Sequence, residues 1–169
     1  MKNPVNMIAA IGLILGAVFG LLGTFVTQRS LQAGSWANDG VGLVVATALL
    51  AFKFFRNGND VVASGFAVFA IGEAVMLAGT ATTLEASVPS FAAGTALWSA
   101  ALLLTSVPRQ FAIWTRLTGI VGAILFAVTA ARIFLGEQVL PTSRPLPFFA
   151  YPFLVFTFVG WIFSLLKAT

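Results

Sequence analysis

Long apolar segments separated by short polar connections recur along the whole chain. A helix needs about 20 mostly apolar residues to cross the hydrocarbon core of a bilayer, and most of these segments approach or exceed that length. Hydrophobic residues make up 59% of the 169 residues and charged residues only 8%. A soluble globular protein needs far more polar surface than this. The sequence therefore predicts an all-α, polytopic integral membrane protein.

Six spans are predicted, and they form a bundle with short loops in a single membrane domain over residues 1–169. The first apolar run is longer than the core of a secretory signal, so we expect a retained helix. Residues 28–39 carry Gln28, Arg29, Asn38 and Asp39 and are expected to form a polar loop. The predicted spans cover residues 7–26, 40–55, 61–82, 88–107, 111–135 and 148–166.

The basic residues predict an orientation. Six spans put both termini on one side of the membrane. Cytoplasmic loops carry an excess of Lys and Arg, so we expect both termini in the cytoplasm, and the small size and sparse loops favour a bacterial inner membrane. The basic residues assigned to the terminal side are Lys2, Lys53, Arg56, Arg109, Arg116 and Lys167, against Arg29, Arg132 and Arg144 on the other side.

Glycines at regular helical spacing predict close packing of the first and third spans. Small residues on one face let a neighbouring helix approach closely. That neighbour belongs either to a second copy in a homo-oligomer or to the same chain, and the presence of several spans favours the same chain. The two sets are Gly12, Gly16 and Gly20 in the first span, and Gly65, Gly72 and Gly79 in the third.

One acidic residue, Glu73, lies near the middle of the third predicted span. An ionised side chain at that depth costs several kcal/mol unless it is paired, protonated or hydrated. Glu73 either couples the passage of a proton, cation or small polar solute, or it ties neighbouring helices together. Its candidate partners and path residues are Thr95, Trp98 and Ser99 in the fourth span, and Thr118 and Arg132 in the fifth.

Several classes of chemistry are excluded or disfavoured by the residues that the chain lacks. It has no Cys and no His, which excludes disulfides, Cys or His zinc sites, iron–sulfur clusters and His-ligated haem. No second carboxylate lies near Glu73 in the sequence and no nucleophile motif occurs, so we expect no enzymatic activity, cofactor or metal. The basic residues are scattered, so no nucleic-acid partner is expected.

Three functions are compatible with these features. The sequence favours a structural or accessory subunit that packs in the lipid bilayer against other membrane-protein chains or copies of itself. A small channel or transporter for a proton, cation or small polar solute, using Glu73, is the alternative. Binding of a lipid, quinone or pigment by the aromatic last span is a weaker alternative.

Overall fold

The computed structural model describes residues 3–167, so Lys2, which was counted in predicting the orientation, lies outside the described residues. Within this range the chain forms six α-helices and no strand. The helices are α1 (Pro4–Phe25), α2 (Arg29–Arg56), α3 (Asp60–Gly79), α4 (Val88–Ser106), α5 (Ile113–Phe134) and α6 (Tyr151–Lys167).

Five helices, α1 to α5, are long and apolar enough to cross a membrane, with mean hydropathies between 1.4 and 2.4. The sixth, α6, is apolar but shorter, at 17 residues. The all-helical prediction is confirmed for the described residues, and the five apolar helices indicate a membrane-embedded protein.

The start of α2 differs from the prediction. This helix begins at Arg29 rather than Gly40, so the predicted loop over residues 28–39 was wrong. Its polar residues Gln32, Ser35 and Asp39 recur at helical spacing and are buried against the bundle. Gln32 also donates to the carbonyls at the end of α1, which lack partners within their own helix. The polar residues in the first part of α2 therefore form a stripe that faces the interior of the bundle and not water.

The six helices form a closed ring. Each helix packs against its neighbours in sequence, and α6 returns to pack against α1. Where the ring closes, Lys53 Nζ donates to Asn6 Oδ1 at 2.7 Å, and Asn6 Nδ2 donates to the Leu165 carbonyl at 3.1 Å. We call this the terminal end of the bundle. The opposite end, where Arg29 begins α2, is called the Arg29 end.

Aromatic side chains fill the centre of the ring. Phe66 and Phe69 of α3 are fully buried. Phe66 lies 4.8 Å from Trp161 between ring centroids, and Phe69 stacks on Trp98 at 5.4 Å. Trp161 is only 1% exposed and belongs to this packed centre. The indole contributes more to the packed centre of the bundle than it would at the surface, because aromatic rings bury large areas.

The glycines of α1 lie against α2. A Cβ placed on Gly12 would lie 2.5 Å from the Gly42 carbonyl oxygen and 2.8 Å from the Cβ of Ala46, so the two backbones are in near contact. The other glycines singled out in the sequence also face neighbours within the chain: Gly16 faces Leu43, Gly20 faces Asp39, Gly65 faces Thr105, Gly72 faces Leu97 and Gly79 faces Ser90.

This contact predicts different outcomes for two Gly→Ala substitutions. Gly12→Ala should lower the free energy of unfolding by about 1–3 kcal/mol, because the new methyl group meets rigid backbone. Gly34→Ala is the matched control, since a Cβ on Gly34 of α2 meets nothing within 4 Å, and alanine favours a helix over glycine by up to about 1 kcal/mol. Thermal unfolding followed by circular dichroism in detergent measures both. Equal stabilities of the two variants would contradict the proposed packing of α1 on α2.

Candidate functional site

A cavity of about 90 Å³ lies inside the bundle, in the half nearer the Arg29 end. Side chains from α1, α2, α3, α4 and α6 form its walls, together with Pro141 from the α5–α6 connection. Its rim includes Thr24, Arg29 and Thr80, which lie at the ends of their helices and are partly exposed. The mouth of the cavity is therefore at the Arg29 end.

Two carboxyl groups from adjacent helices line this cavity, Asp39 of α2 and Glu73 of α3. Their exposed fractions are 8% and 3%. Glu73 Oε1 lies 3.4 Å from the position that a Cβ on Gly40 would take, and Gly40 directly follows Asp39. A Cβ on Gly20 of α1 would lie 3.0 Å from Asp39 Oδ2. Glycines on two helices thus leave the space in which the two acids sit.

Neither carboxyl group has an ion-pair or hydrogen-bond partner that meets normal geometry within residues 3–167. Asp39 Oδ1, Glu73 Oε2 and the indole nitrogen of Trp98 are buried without a partner. The Trp98 N–H interacts electrostatically with the Glu73 carboxylate, but the geometry falls short of a hydrogen bond. An isolated buried charge costs several kcal/mol. The cavity therefore holds two acidic groups whose charge the surrounding protein does not neutralise.

The basic residue nearest the mouth, Arg29, does not neutralise these acids. Its guanidinium donates to the Thr82 carbonyl and, at 3.1 Å, to Gln32 Oε1. Both partners belong to the rim of the bundle. Arg29 thus ties the start of α2 to the end of α3 and leaves Asp39 and Glu73 unpaired.

Aromatic side chains supply much of the remaining wall. Tyr151 of α6 faces the cavity, and its hydroxyl donates to the Pro141 carbonyl at 2.8 Å, which fixes the ring. Trp98 is held in place by its stacking on Phe69. The aromatic side chains that line the cavity are Trp36, Phe91, Trp98, Tyr151 and Phe158.

The terminal half of the bundle is closed by a second set of aromatic rings. Phe54, Phe66, Phe111 and Trp161 contact one another, with ring centroids between 4.8 and 6.2 Å apart. Phe54 lies near the end of α2 and Phe111 lies in the α4–α5 connection, both at the terminal end. The cavity is therefore accessible from the Arg29 end and closed toward the terminal end.

Of the candidate partners and path residues predicted from the sequence, Glu73 and Trp98 line the cavity. The expected hydroxyl partners make their hydrogen bonds elsewhere, largely with carbonyls of their own helices, and the expected arginine is at the surface. Thr95 donates to the Phe91 and Ala92 carbonyls, Ser99 is buried away from the cavity wall, Thr118 bonds Thr115 and Thr157, and Arg132 pairs with Glu137.

The residue that sequence reasoning missed is Asp39. It was assigned to a loop, so it was never considered as a second acid beside Glu73. The signal was present in the spacing of Gln32, Ser35 and Asp39, which repeats every three or four residues and continues into the apolar stripe at Leu43. Trp36 and Tyr151 were likewise not predicted as part of a site.

Comparison of the chain with protein-family models, with curated proteins and with solved structures finds no match. The function is therefore inferred from the geometry of the cavity and the chemistry of its side chains.

The missing partners predict how the two acids affect stability. Glu73→Gln and Asp39→Asn should keep or raise the midpoint of thermal unfolding, because each replaces a buried carboxyl group that has no partner with a neutral amide of the same shape. Asn6→Ala is the contrasting variant. It removes the partner of Lys53 and of the Leu165 carbonyl, and it should lower the free energy of unfolding by about 1–3 kcal/mol.

Thermal unfolding of the three variants in the same detergent distinguishes an acid kept for function from one that holds helices together. A loss of stability in Glu73→Gln as large as that in Asn6→Ala would show that Glu73 is structural.

Proposed function

We propose that this protein is a small membrane transporter that binds a proton or a monovalent cation at Asp39 and Glu73. The observation that carries the proposal is the pair of buried carboxyl groups that line one cavity without a partner in the described chain. Intramembrane carboxyl groups with this arrangement are typical of ion and proton pathways. The proposed function is not enzymatic, since binding and release of a cation break no covalent bond in a substrate.

The charges around the cavity support exchange of a proton for a cation. The titratable or charged groups in its wall are Arg29 and Asp39 from α2, Glu73 from α3 and Tyr151 from α6, and α1 and α4 contribute none. Because Arg29 is bound to Thr82 and Gln32, ionised acids need another positive charge. A proton or an entering cation supplies it, and exchange of one for the other keeps the charge of the site constant.

The one-sided access favours a transporter over an open channel. The cavity is reached from the Arg29 end, and the cluster of Phe54, Phe66, Phe111 and Trp161 separates it from the terminal end. A transporter exposes a central site to one side at a time by moving one group of helices against another. In this proposal, release toward the terminal end requires the aromatic cluster to rearrange.

We infer that all six helices cross the membrane. The 17 residues of α6 extend about 26 Å. Leu165 bonds Asn6 at the terminal end, and Tyr151 bonds Pro141 beyond the other end of α6. This shorter helix therefore covers much of the same depth as α1. The distribution of basic residues favours both termini in the cytoplasm of a bacterial inner membrane, with the cavity mouth on the outer side.

The two other functions expected from the sequence fit the cavity less well. A role as an accessory subunit stays a prediction, and so do partner chains and a homo-oligomer. Helix packing accounts for the glycine contacts, but it does not account for acids without partners. Lipid, quinone or pigment binding is disfavoured by size, because about 90 Å³ is smaller than the roughly 150 Å³ cavity that accommodates a single benzene ring.

Transport predicts a specific dependence on the two acids. In proteoliposomes containing a pH-sensitive dye, an imposed cation gradient should drive proton movement in the opposite direction. Asp39→Asn and Glu73→Gln should each reduce this flux by about ten-fold or more, because each removes a group that carries the exchanged charge. Glu85→Gln is the matched control, since Glu85 is an exposed acid near the same end of the bundle.

Flux in both cavity variants equal to that of the wild-type protein would contradict a transport role for the acids. Absence of flux together with stoichiometric co-purification of another membrane chain would favour the accessory function.

A further inference from the structure

We propose that the cavity selects a small alkylammonium cation with about four non-hydrogen atoms, such as trimethylammonium. This inference rests on the proposed cation site at Asp39 and Glu73, and it names the chemical class that the site prefers. Three features of the cavity support the inference. They are the balance of aromatic and oxygen groups in its wall, the placement of the acids and of Trp98, and its volume.

The wall suits an organic cation better than a metal ion. A hard metal ion must exchange most of its hydration shell for oxygen ligands, commonly six or more. Among residues 3–167 no group of three or more acidic, His or Cys side chains could hold a metal. The hydroxyls of Thr24, Thr80 and Ser87 also line the cavity, but Thr24 and Thr80 lie at its rim. The two carboxyl groups by themselves provide fewer oxygen ligands than a metal ion needs.

Alkylammonium ions need fewer oxygen ligands. Their positive charge is spread over methyl groups, which pack on aromatic faces through cation–π attraction. The aromatic side chains in the cavity wall are those of Trp36, Phe91, Trp98, Tyr151 and Phe158. The two acids then need only neutralise the charge. The acidic groups thus match the positive charge of an alkylammonium ion, and the aromatic walls match its methyl groups.

The indole of Trp98 supplies an independent indication of a bound charge. Trp98 is 5% exposed and lines the cavity. Its indole N–H has no hydrogen-bond acceptor within the described chain. It faces the Glu73 carboxylate. A cation on the cavity side of Glu73 would favour the ionised carboxylate, which accepts a stronger hydrogen bond from this N–H than a protonated carboxyl group does. Occupation of the site would thereby satisfy two unpartnered groups together.

The volume limits the size of the ligand. The benzene-binding cavity of about 150 Å³ holds six heavy atoms, so about 90 Å³ corresponds to about four on the same scale. Methylammonium and trimethylammonium fit this limit. Tetraethylammonium is much larger, and it should be excluded.

Calorimetric titration of the full-length protein in lipid nanodiscs tests the selectivity. The probes are chloride salts of sodium, potassium, methylammonium, trimethylammonium and tetraethylammonium at constant ionic strength. Trimethylammonium should bind about ten-fold or more tightly than sodium or potassium, and tetraethylammonium should bind no better than they do.

Two substitutions locate the binding. Glu73→Gln should abolish trimethylammonium binding. Trp36→Leu should weaken it about five-fold by removing one cation–π contact. Trp114→Leu is the matched control, because Trp114 lies on α5, is 41% exposed and does not line the cavity.

The outcomes separate this inference from the proposed function. Sodium or potassium binding that depends on Glu73, without preference for trimethylammonium, would overturn the inference and leave the cation site standing. Proton flux that depends on the two acids, without any cation binding, would also overturn the inference and leave only the proton site of the proposed function. Trimethylammonium binding that keeps the wild-type affinity in Glu73→Gln or in Trp36→Leu would also overturn the inference, since the ion would then bind elsewhere. Absence of both cation binding and proton flux would overturn both proposals.

Discussion

The free-energy cost of burying a charged group without a partner is the constraint on which the rest of this structure depends. In an apolar bundle an ionised carboxyl group without a partner is energetically costly, so such groups are usually excluded or paired. Asp39 and Glu73 are instead brought together from two helices, with Gly20 and Gly40 leaving room for them. Within the described residues no cationic side chain neutralises them. The proposed binding of a proton or cation, by a route from the Arg29 end, rests on this constraint.

The two ends of the bundle handle buried polar groups in opposite ways. At the terminal end, Asn6 accepts from Lys53 and donates to the Leu165 carbonyl, so the polar groups that close the ring satisfy one another. In the cavity, the acids remain without partners. The satisfied network stabilises the ring, and in the proposed function a bound cation restores the stability that the unsatisfied pair costs. The aromatic centre separates these two regions and keeps the cavity closed on one side.

Much of the fold could be predicted from the sequence, because apolar length is a strong signal for membrane helices. The predicted spans lie close to the observed helices except at α2, where Arg29 to Asp39 looked like a loop. Because of that error, Asp39, one of the two acids in the cavity, was not predicted as a site residue. Glu73 was identified because an acid inside an apolar run is conspicuous, whereas Asp39 lies in a polar stretch where an acid attracts no notice. Its burial depends on tertiary packing, since α1 presents glycine to it.

Of the candidate partners of Glu73, Trp98 lies in the same cavity, but the predicted hydroxyl and arginine partners were wrong for a related reason. Thr95 and Thr118 lie at plausible depths, yet hydroxyl groups inside helices readily donate to carbonyls of their own helix, and both do so. Arg132 had an acid five residues away at Glu137, and this local pairing replaced a long reach into the bundle. Sequence distance and helix depth restrict which residues can meet, but local hydrogen bonds decide which of them remain free.

The central claim is that Asp39 and Glu73 exchange a proton for a cation, and infrared difference spectroscopy tests it most directly. When the cation is added to the protein in nanodiscs and binds, the infrared absorption of a protonated carboxyl group should disappear and that of a carboxylate should appear. Asp39→Asn together with Glu73→Gln should eliminate both changes, and Glu85→Gln should preserve them. An unchanged carboxyl region in the wild-type protein, at a cation concentration that saturates binding, would contradict the exchange.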